Sequence, residues 1–400
     1  MSAMVIVGGG HAAGQNAASL RQEGYDGEII IIGDDTHIPY QRPPLSKQYL
    51  SGEHGLERVY LRPEKFYEER NIELRLGVTV TKINPDEHTV ITSTGDTVSY
   101  EKLLLATGSR PRILNAPGSD LPGIHYLRAV DDVDNIQAEI PQVNNVCIVG
   151  GGYIGLEVAS VIVSAGHNVT VLEMEDRILQ RVTTPKMSAF YEELHSSHSV
   201  NIVTNTSVSG FTGDTRVEKV LCGDLSIPAD LIIVGIGIIP NIELAETAGL
   251  ACDNGIIVDE YCRTSNPDIF AAGDNTNHPN PILNRRLRLE SVPNAMEQAR
   301  VAAANMIGGD KTYETIPWFW SDQYGLKLQM MGFSADGETE VIRGDKATNQ
   351  FAVFYLHENT VVAVDAVNSP REFMVCKQLY GKSVDPVKLA DLGVDLKTLI

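Results

Sequence analysis

Gly8, Gly10 and Ala13, with Asp34 following 26 residues after Gly8, are of the types and spacing that hold a dinucleotide. Gly150, Gly152 and Gly155, with Glu173 following 23 residues after Gly150, repeat the arrangement. The chemistry is the same in each set. The first glycine permits a tight turn, the second lets the backbone approach a pyrophosphate, and a small third residue lets a helix lie close to a strand. Free N–H groups at the helix start, with the positive end of its dipole, then face the phosphates. A carboxylate at the end of the next strand accepts hydrogen bonds from ribose hydroxyls.

Such residues work only if a strand, a turn, a helix and a second strand position them. Around the first set these read "MVIV", the glycines, "HAAGQNAASLRQEG" and "EIIIIGDD", the last ending in Asp34 and Asp35. Around the second they read "VCIVG", the glycines, "YIGLEVASVIVSAG" and "NVTVLEME". Each copy also has a later apolar run ending in glycine, "LLLATGSRPR" (103–112) and "LIIVGIGIIPN" (231–241). The pattern predicts an α/β chain with two Rossmann-like nucleotide-binding domains, and so two dinucleotides, or one dinucleotide and a vestige. Glu173 welcomes a ribose diol but opposes a 2'-phosphate, so NADH is expected over NADPH, with Arg177 close enough in sequence to soften that preference.

The 400 residues leave room for two or three domains, and 43% hydrophobic content is ordinary for a globular chain. A net charge of -20 opposes broad contact with nucleic acid or anionic lipid. The longest apolar run, 231–239, is far short of the roughly 18 residues a membrane span needs, and the N-terminus has no signal-peptide pattern, so a cytoplasmic protein is expected. Five cysteines (Cys147, Cys222, Cys252, Cys262, Cys376) form no C-x-x-C pair and are read as reduced thiols. No metal site is expected.

Two nested nucleotide folds with a late "AAGD" (271–274) resemble the glutathione-reductase-like flavoproteins. That resemblance implies an FAD domain split over residues 1–112 and 246–316, an inserted NADH domain at 113–245, and a C-terminal α+β domain at 317–400, in which "FAVFYL" and "VVAVDAV" read as paired strands. The loop "THIPYQRPPLSKQYL" holds no cysteine, where the peroxide and CoA-disulfide reductases of the superfamily carry one. Instead "PYQRPPLSK", "RLESVPNAMEQAR" and "PWFWSDQYGLKLQMMG" resemble the FAD-dependent NADH:ferredoxin reductases that serve aromatic-ring dioxygenases and bacterial haem monooxygenases.

The implied activity is transfer of electrons from NADH through FAD, one at a time, to a [2Fe-2S] ferredoxin, by a monomer or weak homodimer. Two rivals are a monodehydroascorbate-type reductase, which has no use for "WFWSDQ", and an apoptosis-inducing-factor-type redox sensor, which the acidic charge disfavours. FAD contacts are implied at Gly8, Gly10, Ala12, Ala13, Asp34, Arg42, Lys47, Val80, Ala106, Thr107, Gly108, Arg128, Gly273, Asp274, Val292 and Trp320, with Asp274 on the ribityl chain. NADH contacts are implied at Gly150, Gly152, Tyr153, Ile154, Gly155, Glu157, Glu173 and Gly237. Tyr153 either covers the nicotinamide site or packs against a strand. Lys47 and Glu157 are expected to pair beside the flavin N5, where a cation stabilises the reduced ring. Arg285, Arg286, Arg288, Arg300 and Trp318 are the expected ferredoxin-docking residues.

Overall fold

Ala3–Val7 and Ile29–Gly33 are buried along their whole length because apolar side chains on both faces of their sheet are covered. The pleat divides them: Met4, Ile6, Ile29, Ile31 and Leu104 enter one core, and Val5, Val7, Ile30, Ile32, Leu103 and Leu105 the other. Each such burial contributes about 2 kcal/mol. The computed structural model of the chain describes residues 3–400. It forms two compact units. One comprises the chain up to Arg42, Gly55–Arg110 and Ile238–Pro317; the other comprises Pro43–His54, Pro111–Gly237 and Trp318–Ile400.

In the first unit the parallel strands run in the order Ile72–Leu76, Ile29–Gly33, Ala3–Val7, Thr97–Leu105 and Ile269–Ala271. Two antiparallel strands, Thr89–Thr92 and Val80–Asn84, extend the sheet from the early half of Thr97–Leu105. Helices His11–Gln22 and Val292–Met306 pack closely because Ala13, Ala17, Ala299, Ala302 and Ala303 at their contact are small and fully buried. Asn16 secures the contact by donating from Nδ2 to the Ala299 carbonyl at 3.0 Å.

The second unit repeats the scheme with Asn201–Val203, Asn168–Leu172, Asn145–Val149, Leu231–Val234 and Ile124–Tyr126, again all parallel. The doubling read from the glycines is therefore a doubling of topology, differing in where the fifth strand comes from. The chain re-enters the first unit at Ile238, earlier than the boundary expected near 246, and Pro43–His54 belongs with the second unit rather than the first.

The central turn is built the same way in both sheets. Gly8 has φ 121° and Gly150 φ 112°; a Cβ on Gly8 would lie 2.2 Å from the Ala106 carbonyl oxygen, and one on Gly150 would lie 2.3 Å from that of Gly235. Only glycine lets the turn after the first strand lie this close to the end of the fourth, at the edge of the crevice where α/β folds bind ligands.

The second unit also contains an antiparallel sheet ordered Trp318–Gln323, Leu326–Gly332, Thr360–Val367, Gln350–His357 and Thr339–Asp345. Its middle pair holds the "FAVFYL" and "VVAVDAV" runs, and helix Pro370–Leu379 packs on it. Among the described residues no helix is long and apolar enough to cross a membrane.

Candidate active site

Helix His11–Gln22 starts after Gly10 with no side-chain cap and no acid in its first turn, so nothing neutralises its N-terminal dipole. A Cβ on Gly9 or Gly10 would meet nothing within 4 Å, leaving space above the turn. The two acids that end the next strand divide their work. Asp35 accepts from the His37 N–H at 3.0 Å and the Tyr40 hydroxyl at 2.7 Å, which shapes the loop, while Asp34 is exposed. Among the expected FAD residues of this unit, Ala12, Ala13, Val80 and Ala106 are buried in its two cores. Arg42 lies over the Tyr40 ring, 5.3 Å from its centroid.

The fourth strand leads into Ala106, Thr107 and Gly108. Buried Asn275 donates to the Leu105 carbonyl at 3.1 Å and to Thr107 Oγ1 at 3.0 Å, tying this end to the segment that carries Gly273 and Asp274. Ser109 donates to Asp274 Oδ2 at 2.9 Å. The Gly273 N–H donates to Gln298 Oε1 at 2.8 Å, which fixes the segment to the helix that begins at Val292. An uncapped helix start, open space over a glycine turn, an exposed acid on the second strand and an aspartate at the late strand's end fit an adenine dinucleotide.

In the second unit, helix Tyr153–Ser164 likewise begins after Gly152 with no side-chain cap and no acid in its first turn. A Cβ on Gly155 would lie 2.1 Å from the Gly150 carbonyl oxygen, whereas one on Gly152 would meet nothing within 4 Å. Gly237 accepts from the Arg112 N–H at 2.9 Å, and Ile154 is exposed. Glu173 accepts from the Gly151 N–H at 2.8 Å through Oε2 and from the Glu175 N–H at 2.9 Å through Oε1. Each oxygen retains acceptor capacity for a ribose hydroxyl. Arg177 is spent on the protein: it donates to Thr183 O at 3.0 Å, Gln180 O at 3.1 Å and Ser188 Oγ. It therefore offers no ready partner to a 2'-phosphate, contrary to the sequence expectation. Tyr153 packs against the C-terminal sheet, its ring 5.1 Å from Phe319 and its hydroxyl on Met330 Sδ.

Loop 177–184 is tethered to the same sheet by Asp365, which is 3% exposed and accepts from the Thr183 and Tyr355 hydroxyls through Oδ2. Burial pushes its carboxyl up to about 6. Because this folded value exceeds the usual 3.8, the folded state binds the proton more tightly, so the contribution of Asp365 to stability is fully present below about pH 4 and is lost as pH rises through about 6. The loss is about 3 kcal/mol. Asp365→Asn keeps an acceptor for both hydroxyls, and urea titrations at several pH values are expected to show that contribution flattened.

Lys47 and Glu157 meet in the second unit, with Lys47 Nζ 2.8 Å from Glu157 Oε2 and side chains only 9% and 4% exposed. Pro43 and Pro44 preset the 3-10 turn Pro43–Ser46, and the Lys47 N–H closes on the Pro44 carbonyl at 3.0 Å. Adjacent residues of one rigid turn thus reach the same carboxylate, since Ser46 Oγ also donates to Glu157 Oε2 at 2.6 Å. The other oxygen, Oε1, accepts from Ser321 Oγ at 2.6 Å. Lys47 Nζ further donates to the Pro43 carbonyl at 3.3 Å. Burying two charges is costly, and these bonds to both carboxylate oxygens offset that cost. Glu157 is thus a buried hub rather than an exposed helix carboxylate.

Sequence reasoning missed Ser46 and Ser321. The signal for Ser321 was the period-two placement of polar Ser321 and Gln323, both 1% exposed, on one face of a strand that begins with three aromatic residues.

Arg128 and Trp320 also belong to the second unit; the Arg128 N–H donates to Asp132 Oδ2 at 2.8 Å. Trp318 is half-buried, 5.6 Å from Trp320 and 5.8 Å from Phe373, with Lys377 Nζ 5.4 Å over its ring. In the first unit the arginines expected to dock a partner are not equivalent. Arg286 is clamped to Asn277 Oδ1 at 2.9 Å and Val258 O at 2.8 Å. Arg288 pairs with Glu290 at 2.6 Å, and Arg300 pairs with Glu297 three residues before it. Arg285 is exposed. All five cysteines are free thiols, none within Pro43–His54.

Residues 2–299 match the family model described as pyridine nucleotide-disulphide oxidoreductase, and residues 318–400 match the reductase C-terminal model. Among curated proteins, putidaredoxin reductase of Pseudomonas putida is 45% identical over 99% of this chain and 96% of its own length. The ferredoxin--NAD(+) reductase component of the anthranilate 1,2-dioxygenase system of Burkholderia cepacia is 42% identical over 99% and 98%. A crystal structure of a covalent putidaredoxin reductase-putidaredoxin complex superposes with a TM-score of 0.95 at 44% identity, covering 100% of this chain and 98% of that one.

Proposed function

The chain belongs to the pyridine nucleotide-disulphide oxidoreductases, and from that membership we propose that it takes hydride from NADH and passes electrons singly, through FAD, to a [2Fe-2S] ferredoxin that feeds an oxygenase. The observation that supports this reading is the buried Lys47–Glu157 pair, with Lys47 in a loop, Pro43–His54, that holds no cysteine. When bound, FAD supplies the conversion of a two-electron donor into a one-electron donor. The Gly8–Gly10 turn, Asp34 and Asp274 would hold it, while the Gly150–Gly155 turn and Glu173 would hold NADH. Lys47 would supply positive charge to the bound flavin, and Glu157, 2.8 Å from its ammonium, would hold that charge in place. No side-chain proton transfer is required for hydride to move; the chain's task is orientation and exclusion of water.

Rapid NADH-dependent reduction of cytochrome c only when a [2Fe-2S] ferredoxin is added is the expected result. Equal rates without ferredoxin, or preference for the ascorbate radical, would overturn it. Among the docking candidates Arg300 carries the assignment by family resemblance, with Arg285 beside it in role and Trp318 as the aromatic contact. Arg300→Glu is expected to raise the apparent KM for ferredoxin about tenfold at low salt and to leave ferricyanide reduction intact. A cytoplasmic location fits five unpaired thiols.

A further inference from the structure

A line of buried polar side chains runs away from Glu157 through the second unit, and neither the dinucleotide sites nor ordinary packing accounts for it. Ser321 Oγ donates to Glu157 Oε1 at 2.6 Å, Gln323 Nε2 donates to Ser321 Oγ at 3.1 Å, and Gln323 Oε1 faces His195 Nε2 at 2.8 Å. His195 Nδ1 faces the Tyr324 hydroxyl at 2.9 Å. His195 is 0% exposed, and Gln323 and Ser321 are 1% exposed. The outer end is capped by His198, stacked on Tyr324 with ring centroids 3.8 Å apart.

The directions of these bonds are mutually dependent. Burial, together with His198, holds the His195 imidazole neutral, with its proton affinity lowered to about 4. A neutral ring protonates one nitrogen only. Gln323 Oε1 can only accept, so the proton sits on Nε2, Nδ1 is the acceptor, and Tyr324 donates. With Oε1 engaged, the Gln323 amide nitrogen must face Ser321, and the Ser321 hydroxyl hydrogen is left for Glu157. Reverse the carboxamide and Ser321 would donate to Gln323, leaving Glu157 Oε1 without that bond.

We propose that His195 is a positioning residue for hydride transfer: its Nε2–H orients the Gln323 carboxamide, which turns the Ser321 hydroxyl onto Glu157 and so fixes the partner of Lys47. The proposal rests on the reading of Lys47 and Glu157 given above.

The test uses the full-length, FAD-loaded protein. Nitrogen-15 NMR of labelled histidine is expected to show His195 with Nε2 protonated and Nδ1 bare; the opposite tautomer would overturn the proposal without any rate measurement. In stopped-flow reduction by saturating NADH, His195→Phe and Gln323→Glu are each expected to slow hydride transfer about tenfold while the NADH KM holds. His195→Gln, which keeps a donor at the same place, is expected to restore most of the rate. Gln323→Glu preserves volume and keeps the test available if His195→Phe does not fold. Wild-type rates in both variants would overturn the positioning role. If Glu157→Gln alone slows transfer, that failure leaves the reading of the pair intact; if Glu157→Gln also transfers hydride at the wild-type rate, both fall.

Discussion

Glu157→Ala is expected to slow reduction of the bound flavin by NADH about a hundredfold, read as the decay of flavin absorbance in a stopped-flow instrument. The substitution removes the acceptor that holds Lys47 Nζ at 2.8 Å and simultaneously frees the Ser46 and Ser321 hydroxyls. An ammonium of 9% exposure is then left without its counter-ion. Breaking one side of a buried pair costs about 3 kcal/mol of stability, so the variant should also melt earlier than wild type. The two effects separate with Glu157→Gln, whose amide oxygen still accepts from Lys47 but whose nitrogen faces a donor hydroxyl. That variant is expected to recover stability more fully than rate. Unchanged pre-steady-state reduction in both variants would remove the pair from the mechanism.

The second large effect concerns the choice of nicotinamide cofactor. The wild-type kcat/KM is expected to favour NADH over NADPH about a hundredfold, because a 2'-phosphate would meet the Glu173 carboxylate without a compensating cation. Arg177 is unavailable, with its guanidinium committed to Thr183, Gln180 and Ser188. Glu173→Ala should collapse the ratio from both sides. NADH loses its diol acceptor, NADPH loses its repulsion, and the turn loses the bond from Gly151 N–H that stands at 2.8 Å. Equal losses for the two cofactors would mean that Glu173 serves only as a brace for the glycine turn.

How much of this was readable in the residues follows from the distance over which each requirement acts. The glycine turns were legible because strand, bend, helix and acid fall within about thirty residues and each residue type answers a local demand. Likeness to the family had named Asp34; that its neighbour Asp35 is engaged by Tyr40 folding back onto it was not legible. Lys47 and Glu157 are 110 positions apart, and no periodicity links them; only likeness to a known family joined them in advance. Ser46 and His195 lay beyond both routes, and the alternation that sets Ser321 and Gln323 on one face does not name their partners. Their roles arise from three segments brought together by tertiary packing, and a buried serine in a strand reads like any other until its neighbour is known. The placement of Pro43–His54 escaped for the same reason.

The two nucleotide folds differ in one respect that matters while the chain is being made. The inserted fold draws all five parallel strands from one unbroken stretch, Ile124–Tyr126 through Leu231–Val234, so it can close as soon as that stretch leaves the ribosome. The outer fold cannot, because Ile269–Ala271 must arrive to cover the end of Thr97–Leu105. Until then a strand of leucines presents an open backbone edge, the kind of surface that recruits strands from other chains. During translation the outer fold is therefore the one expected to expose an unpaired edge, until Ile269–Ala271 has been made.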